Sequence, residues 1–131
     1  MILRGEIVDM TKVEGIIAHE ENEIVGLLSY RILDDILEIL SLDSLLEKRG
    51  IGTELVNAAI QIAKFENCKR IILITTNDNI NAICFYQKRG FDMVRIYRNA
   101  IDVSRKLKPE IPLIGENGIP LKHEIEFELL L

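Results

Sequence analysis

The sequence carries few of the features that mark membrane, secreted or metal-binding chains. No uninterrupted apolar run approaches the ~20 residues that span a bilayer, and Arg4 and Glu6 stand where a signal peptide would place its apolar segment. A soluble, cytoplasmic protein without a membrane partner is expected. The only two cysteines, Cys68 and Cys84, have neither CxxC spacing nor histidines beside them. Neither a zinc site nor a disulfide framework is implied, and no metal is expected. Positive charge is in deficit: 16 Lys and Arg against 21 Asp and Glu leave a net charge of −5, which argues against a nucleic-acid partner. Proline is scarce, and Pro109, Pro112 and Pro120 all fall in the last third of the chain. Apolar residues are abundant. Of the 131 residues 48% are hydrophobic and 28% charged, enough to bury one core but too few for two ordinary domains.

Periodicity orders the elements. Val13 to Glu20 alternates apolar and polar positions, breaks at Glu21 and Asn22, and is followed at once by Ile24 to Ile32, the pattern of an antiparallel hairpin. After a turn at Asp34 and Asp35, the Ile- and Leu-rich run Ile36 to Leu42 reads as a strand covered on both faces. Leu55, Ala59 and Ile62 then recur at helical spacing, so Gly50 to about Glu66 is a helix and its approach. The short apolar run Arg70 to Thr75 predicts a strand parallel to its predecessor through a right-handed crossover. A second helix starts at Asn79, an N-cap residue, and ends at Lys88 and Arg89 with Gly90 as a left-handed cap; Phe91 to Tyr97 is a strand. Asn99 to Leu107 predicts a short helix stopped by Pro109, and a loop turns at Glu116, Asn117 and Gly118. From Lys122 alternation returns, with Glu124, Glu126 and Glu128 read as the solvated face of a half-buried last strand. The expectation is one α+β domain, residues 1–131, around a mixed sheet.

The segment Glu47-Lys48-Arg49-Gly50-Ile51-Gly52-Thr53 lies between a strand and a helix start. Glycines there permit a tight turn and expose N–H groups, and the helix N-terminus adds partial positive charge, properties that suit a pyrophosphate. The segment has neither the GxGxxG of a dinucleotide fold nor the Lys-Ser/Thr ending of a P-loop. Glycines also punctuate ordinary strand-to-helix loops.

This loop and helix, together with Asn79-Ile80-Asn81-Ala82 and Phe85-Tyr86-Gln87-Lys88-Arg89-Gly90-Phe91, resemble the GNAT N-acetyltransferase superfamily. The family motif Q/R-x-x-G-x-G/A is matched from Glu47 to Gly52 except at its first position, and its Asn-x-x-Ala helix ending in Tyr and Gly-Phe is matched by Asn79, Ala82, Tyr86, Gly90 and Phe91. The resemblance implies a GNAT-like mixed, mostly antiparallel central sheet with helices on both faces, shortened at the N-terminus, since only about a dozen residues precede Val13. It implies transfer of an acetyl group from acetyl-CoA to a primary amine of a small molecule or peptide. The alternative is a non-catalytic CoA-binding or regulatory module with an incomplete acceptor site, and a homodimer would be one way to complete that site.

By the same resemblance the pantetheine arm pairs like an added strand with backbone groups of Leu40, Ser41 and Leu42. The pyrophosphate rests on N–H groups of Lys48, Arg49, Gly50, Ile51, Gly52 and Thr53, and Asn79 is an N-cap that also reaches the cofactor. Glu47 puts a carboxylate where the family has Gln or Arg, and it is expected to face solvent. Tyr86 is the general acid by resemblance and an amphipathic core tyrosine by its residue type alone. Glu38 interrupts the apolar run Ile-Leu-Glu-Ile-Leu, which places it at a cleft rim or in a pair. It is the leading candidate base, with Asp43 second. His19 and His123 are read as satisfied or exposed histidines, and Cys84 as a small core residue.

Overall fold

The computed structural model describes residues 1–4, 6–10, 13–44 and 50–131. Its elements run β1 (Ile2–Leu3), β2 (Glu6–Ile7), β3 (Glu14–Glu20), β4 (Glu23–Leu33), β5 (Ile36–Ser44), α1 (Ile51–Phe65), β6 (Arg70–Thr76), α2 (Ile80–Lys88), β7 (Asp92–Tyr97), α3 (Ala100–Leu107) and β8 (Glu124–Leu130), with a 3-10 turn at Glu116–Gly118. The class is α+β, and strands β3 to β8 make a mixed six-stranded sheet. Two compact units divide the chain, one of Thr11–Leu73 with Leu129–Leu131 and one of Met1–Met10 with Ile74–Glu128.

In the first of these, strands lie in the order β3-β4-β5-β6. Glu21 and Asn22 both take positive φ, 51° and 70°, the geometry of a hairpin turn whose twist matches its strands. The β4–β5 connection is equally tight, and its register pairs Leu33 with Ile36 and Arg31 with Glu38. Strand β5 then pairs in parallel with β6, Ile36 opposite Arg70 through Ile39 opposite Leu73. Helix α1 packs on β3, β4 and β5. It buries Ile51, Leu55, Val56, Ala59 and Ala63 along one stripe, and each larger member of such a stripe contributes about 1.5–3 kcal/mol by leaving water. Close packing at its first turn depends on Gly26, where a Cβ would stand 2.8 Å from Ile51 Cγ2 and 3.0 Å from Leu55 Cδ1.

In the second unit the order is β6-β8-β7. Aromatic side chains form its centre: Phe91 and Phe127 are fully buried, and Tyr86 packs edge-on to Phe91 with centroids 5.5 Å apart. The long connection after α3 is held by Arg105, which donates to the carbonyls of Ile111, Pro112 and Leu121 and pairs with Asp102 at 2.7 Å. Two expectations are corrected here. Glu124 and Glu126 are buried rather than solvated, because Arg4 of the N-terminal segment lies against both carboxylates, its N–H donating to Glu124 and its guanidinium 4.0 Å from Glu126, and the Tyr97 hydroxyl donates to Glu126. Cys84 is exposed, because Tyr86 is the buried residue of α2 and the helix presents little else to the core. Asn99 precedes α3 but does not cap it with its side chain, having φ 59°. The small β1–β2 ladder, Ile2 opposite Ile7, has no periodic signature in so few residues.

Candidate active site

Strand β5 changes partners along its length. Up to Ile39 it is paired on both sides, with β4 and with β6; from Leu40 to Ser44 its ladder partners among the described residues are those of β4 alone. Leu40, Ser41 and Leu42 therefore present one backbone edge that no strand of this unit occupies. Open N–H and C=O groups on such an edge are a template for an extended, amide-containing ligand. Ser41 is tied to the neighbouring strand by a hydroxyl contact with Ser29.

Glu38 lies just before that opening and is 3% exposed. Arg31 Nε donates to its Oε1 at 2.9 Å and Arg31 Nη2 stands 2.7 Å from the same oxygen. A buried carboxylate held by a guanidinium has its charge compensated, and removing Arg31 takes that compensation away. The sequence reading missed Arg31, yet the signal was present: a two-residue turn at Asp34 and Asp35 places residue 31 directly opposite residue 38. Asp43, the second candidate base, is exposed near the end of β5.

The loop that follows contains Glu47, Lys48 and Arg49, which lie outside the described residues. Gly50 is described, and it takes φ 74° and ψ 8°, a left-handed conformation with no atom within 4 Å of where a Cβ would be. This is the entry to α1, and Gly50 supplies no side-chain cap. The N–H groups of Ile51 and Gly52 belong to the first turn, where no intrahelical acceptor exists, and the helix dipole adds to the attraction of this turn for an anion.

The other unit holds Asn79 and Tyr86. Asn79 Oδ1 accepts the N–H of Ala82 at 3.1 Å, which makes it the N-cap of α2 and fixes the start of the helix that carries Tyr86. Around that start the chain is firmly tied. Asn77 Oδ1 accepts the N–H groups of Lys122 and His123, Asn77 Nδ2 donates to Pro120 O, and Asp78 Oδ2 accepts the N–H of Glu116. Tyr86 is 6% exposed, with Phe85, Phe91 and Phe127 against its ring. Its hydroxyl has no hydrogen-bond partner among the described residues, yet it is not a sealed unsatisfied group, so it reaches accessible space. Burial raises its pKa above the ordinary tyrosine value, since removing water penalises the phenolate.

The first unit thus collects Glu38, the Leu40–Leu42 edge and the Gly50–Thr53 turn, and the second collects Asn79 and Tyr86. Residues 6–91 match the Acetyltransferase (GNAT) family, and the chain belongs to that family. It is 44% identical over 126 residues to the uncharacterized protein YxbD of Bacillus subtilis (strain 168), an alignment that covers 95% of this chain and 79% of that one. A Bacillus subtilis acetyltransferase solved in complex with CoA superposes with a TM-score of 0.80 at 27% identity, covering 93% of this chain and 79% of that one. A GNAT family acetyltransferase from Elizabethkingia anophelis with acetyl-CoA bound also gives 0.80, at 28% identity, covering 93% and 78%.

Proposed function

We propose that residues 1–131 act as a single acetyltransferase domain that moves an acetyl group from acetyl-CoA to a primary amine by direct attack. The observation that carries this reading is the one-sided pairing of β5 from Leu40 to Ser44, followed by the left-handed glycine entry to α1. In this reading backbone groups of Leu40, Ser41 and Leu42 hold the pantetheine arm. The N–H groups of Gly50 to Thr53, with Lys48 and Arg49, take the pyrophosphate. Asn79 sets the helix start and borders the cofactor.

The amine must be neutral to attack the thioester carbonyl, so a base accepts its proton; Glu38 is the residue assigned that role. Collapse of the tetrahedral intermediate breaks the C–S bond, and the departing thiolate takes a proton or a hydrogen bond from Tyr86. A thiol ionises near pH 8.5 and a phenol near 10 in water, and burial widens that gap for Tyr86. Tyr86 therefore serves mainly as a fixed donor to developing negative charge on sulfur, an effect worth on the order of a hundredfold in rate.

The direct test mixes the protein with acetyl-CoA and a panel of primary amines and follows free thiol. Thiol release that requires both protein and amine supports the enzyme. Calorimetric binding of acetyl-CoA with no thiol release for any amine identifies a CoA-binding module instead, and no binding at all defeats both.

A further inference from the structure

The unit that carries Tyr86 contains a cavity of about 400 Å³ between the β1 strand, the end of β6, α3 and the start of β8. Its walls are mostly apolar, including Ile74, Ile101, Ile111 and Leu121. One wall is not: Glu124, 2% exposed, lines it. Glu124 Oε1 accepts the backbone N–H of Arg4 at 2.9 Å. No hydrogen bond engages Oε2 among the described residues, and the Arg4 charge also acts on this carboxylate. Thr75 contributes a second unengaged hydroxyl to the same wall. Ser104 donates its proton to Ala100 O at 3.3 Å and so keeps lone pairs free to accept.

We infer that this cavity binds the ammonium end of a small, apolar-bodied primary amine, with Glu124 as the ion-pairing residue and Thr75 and Ser104 as supporting acceptors. The volume is in the range of small-molecule sites. The chemistry selects the sign. A buried carboxylate repels an anionic ligand and gives a neutral hydrocarbon nothing, whereas an ammonium supplies three donors to a wall made of acceptors. Lys108, also at the cavity, is an exposed residue. Burial raises the Glu124 pKa, the cost of holding a carboxylate where a cation is to be received. The assignment of this amine as the acetyl acceptor rests on the acetyltransferase reading above; the amine site itself does not.

The test uses the full chain and three probes of one length, hexylamine, hexan-1-ol and hexanoate, measured by calorimetry or ligand-observed NMR, with acetyl-CoA binding measured separately. Hexylamine is expected to bind at least tenfold more tightly than either other probe. Glu124→Gln, which keeps an acceptor for the Arg4 N–H, is expected to abolish that preference. Thr75→Val is expected to weaken hexylamine several-fold, and it provides a second reading should the first variant not fold. Equal binding of hexylamine and hexan-1-ol, or unchanged hexylamine affinity in both variants, overturns the inference. Acetyl-CoA binding without hexylamine binding overturns the cavity assignment alone. The reverse result retains the amine site and defeats its role as acceptor.

Discussion

Asp78 occupies the space that a side chain at residue 115 would need: a Cβ on Gly115 would lie 2.1 Å from Asp78 Oδ2 and 2.7 Å from its carboxyl carbon. The same oxygen accepts the N–H of Glu116 at 2.8 Å, so the glycine and the carboxylate are fitted to each other. Gly115→Ala is expected to lower stability by about 1–3 kcal/mol, as overpacked sites do. Asp78→Ala removes the obstruction but leaves the Glu116 N–H without its partner, so the double variant should cost less than the two singles summed. Denaturant midpoints for the four proteins check this, and simple additivity would contradict it.

Gly50 combines positive φ with empty space around it. Gly50→Val meets no clash but places a branched side chain in a left-handed conformation and over the turn proposed to cradle pyrophosphate. It should remain folded and lose at least tenfold in acetyl-CoA affinity, whereas Gly50→Asn, which tolerates that conformation better, should fold more stably. Calorimetry decides, and unchanged affinity in folded Gly50→Val removes this turn from the site.

Tyr86→Phe preserves the ring against Phe91 and Phe127. Turnover is expected to fall about a hundredfold with acetyl-CoA affinity little changed. Because burial raises the hydroxyl's pKa, the donor stays protonated beyond the ordinary tyrosine range, so the wild-type rate should show no loss of this acid below about pH 10. Single-turnover rates across pH test both statements. A Phe variant as fast as wild type would leave Tyr86 a packing residue.

Glu38→Gln should reduce turnover while acetyl-CoA affinity holds. It also removes the negative charge that Arg31 pairs with, so a lower melting temperature is expected, and rates should be compared well below it. Unchanged single-turnover rates would transfer the base to Asp43.

Glu124 links stability to pH. Burial raises its folded pKa, so the folded chain binds a proton that the unfolded chain releases. Stability therefore declines as pH rises from the unfolded carboxyl value, about 4.3, through the raised folded one, and the deficit is complete above it. Glu124→Gln should be more stable than wild type at neutral pH and lose that advantage in acid, as melting curves at several pH values would show.

Much of this architecture was legible because its signals are local. Alternation, two-residue turns and a 3.6-residue stripe place β3, β4, β5 and α1 within a residue or two, and Asn79 and Gly90 mark the ends of α2. The glycine motif and the Tyr86 segment point to the family from the sequence alone. What escaped depends on the order of strands in space. Glu124 and Glu126 alternate with apolar neighbours as any half-exposed strand would, and only the packing of Arg4 and Tyr97 against that face reveals that both are buried. Cys84 was misplaced because α2 commits so little of its surface to the core. Arg31 was overlooked although the turn that pairs it with Glu38 had been recognised.

Gly26 behaves as a shim. With hydrogen in place of a side chain, it lets Ile51 and Leu55 settle onto β4, and that contact determines how high the first turn of α1 rides above the strands. Even a methyl group at residue 26 would jack up the helix end whose N–H groups are proposed to meet phosphate. A library built to change substrate preference would have to keep this position fixed, although its role is only to seat the helix.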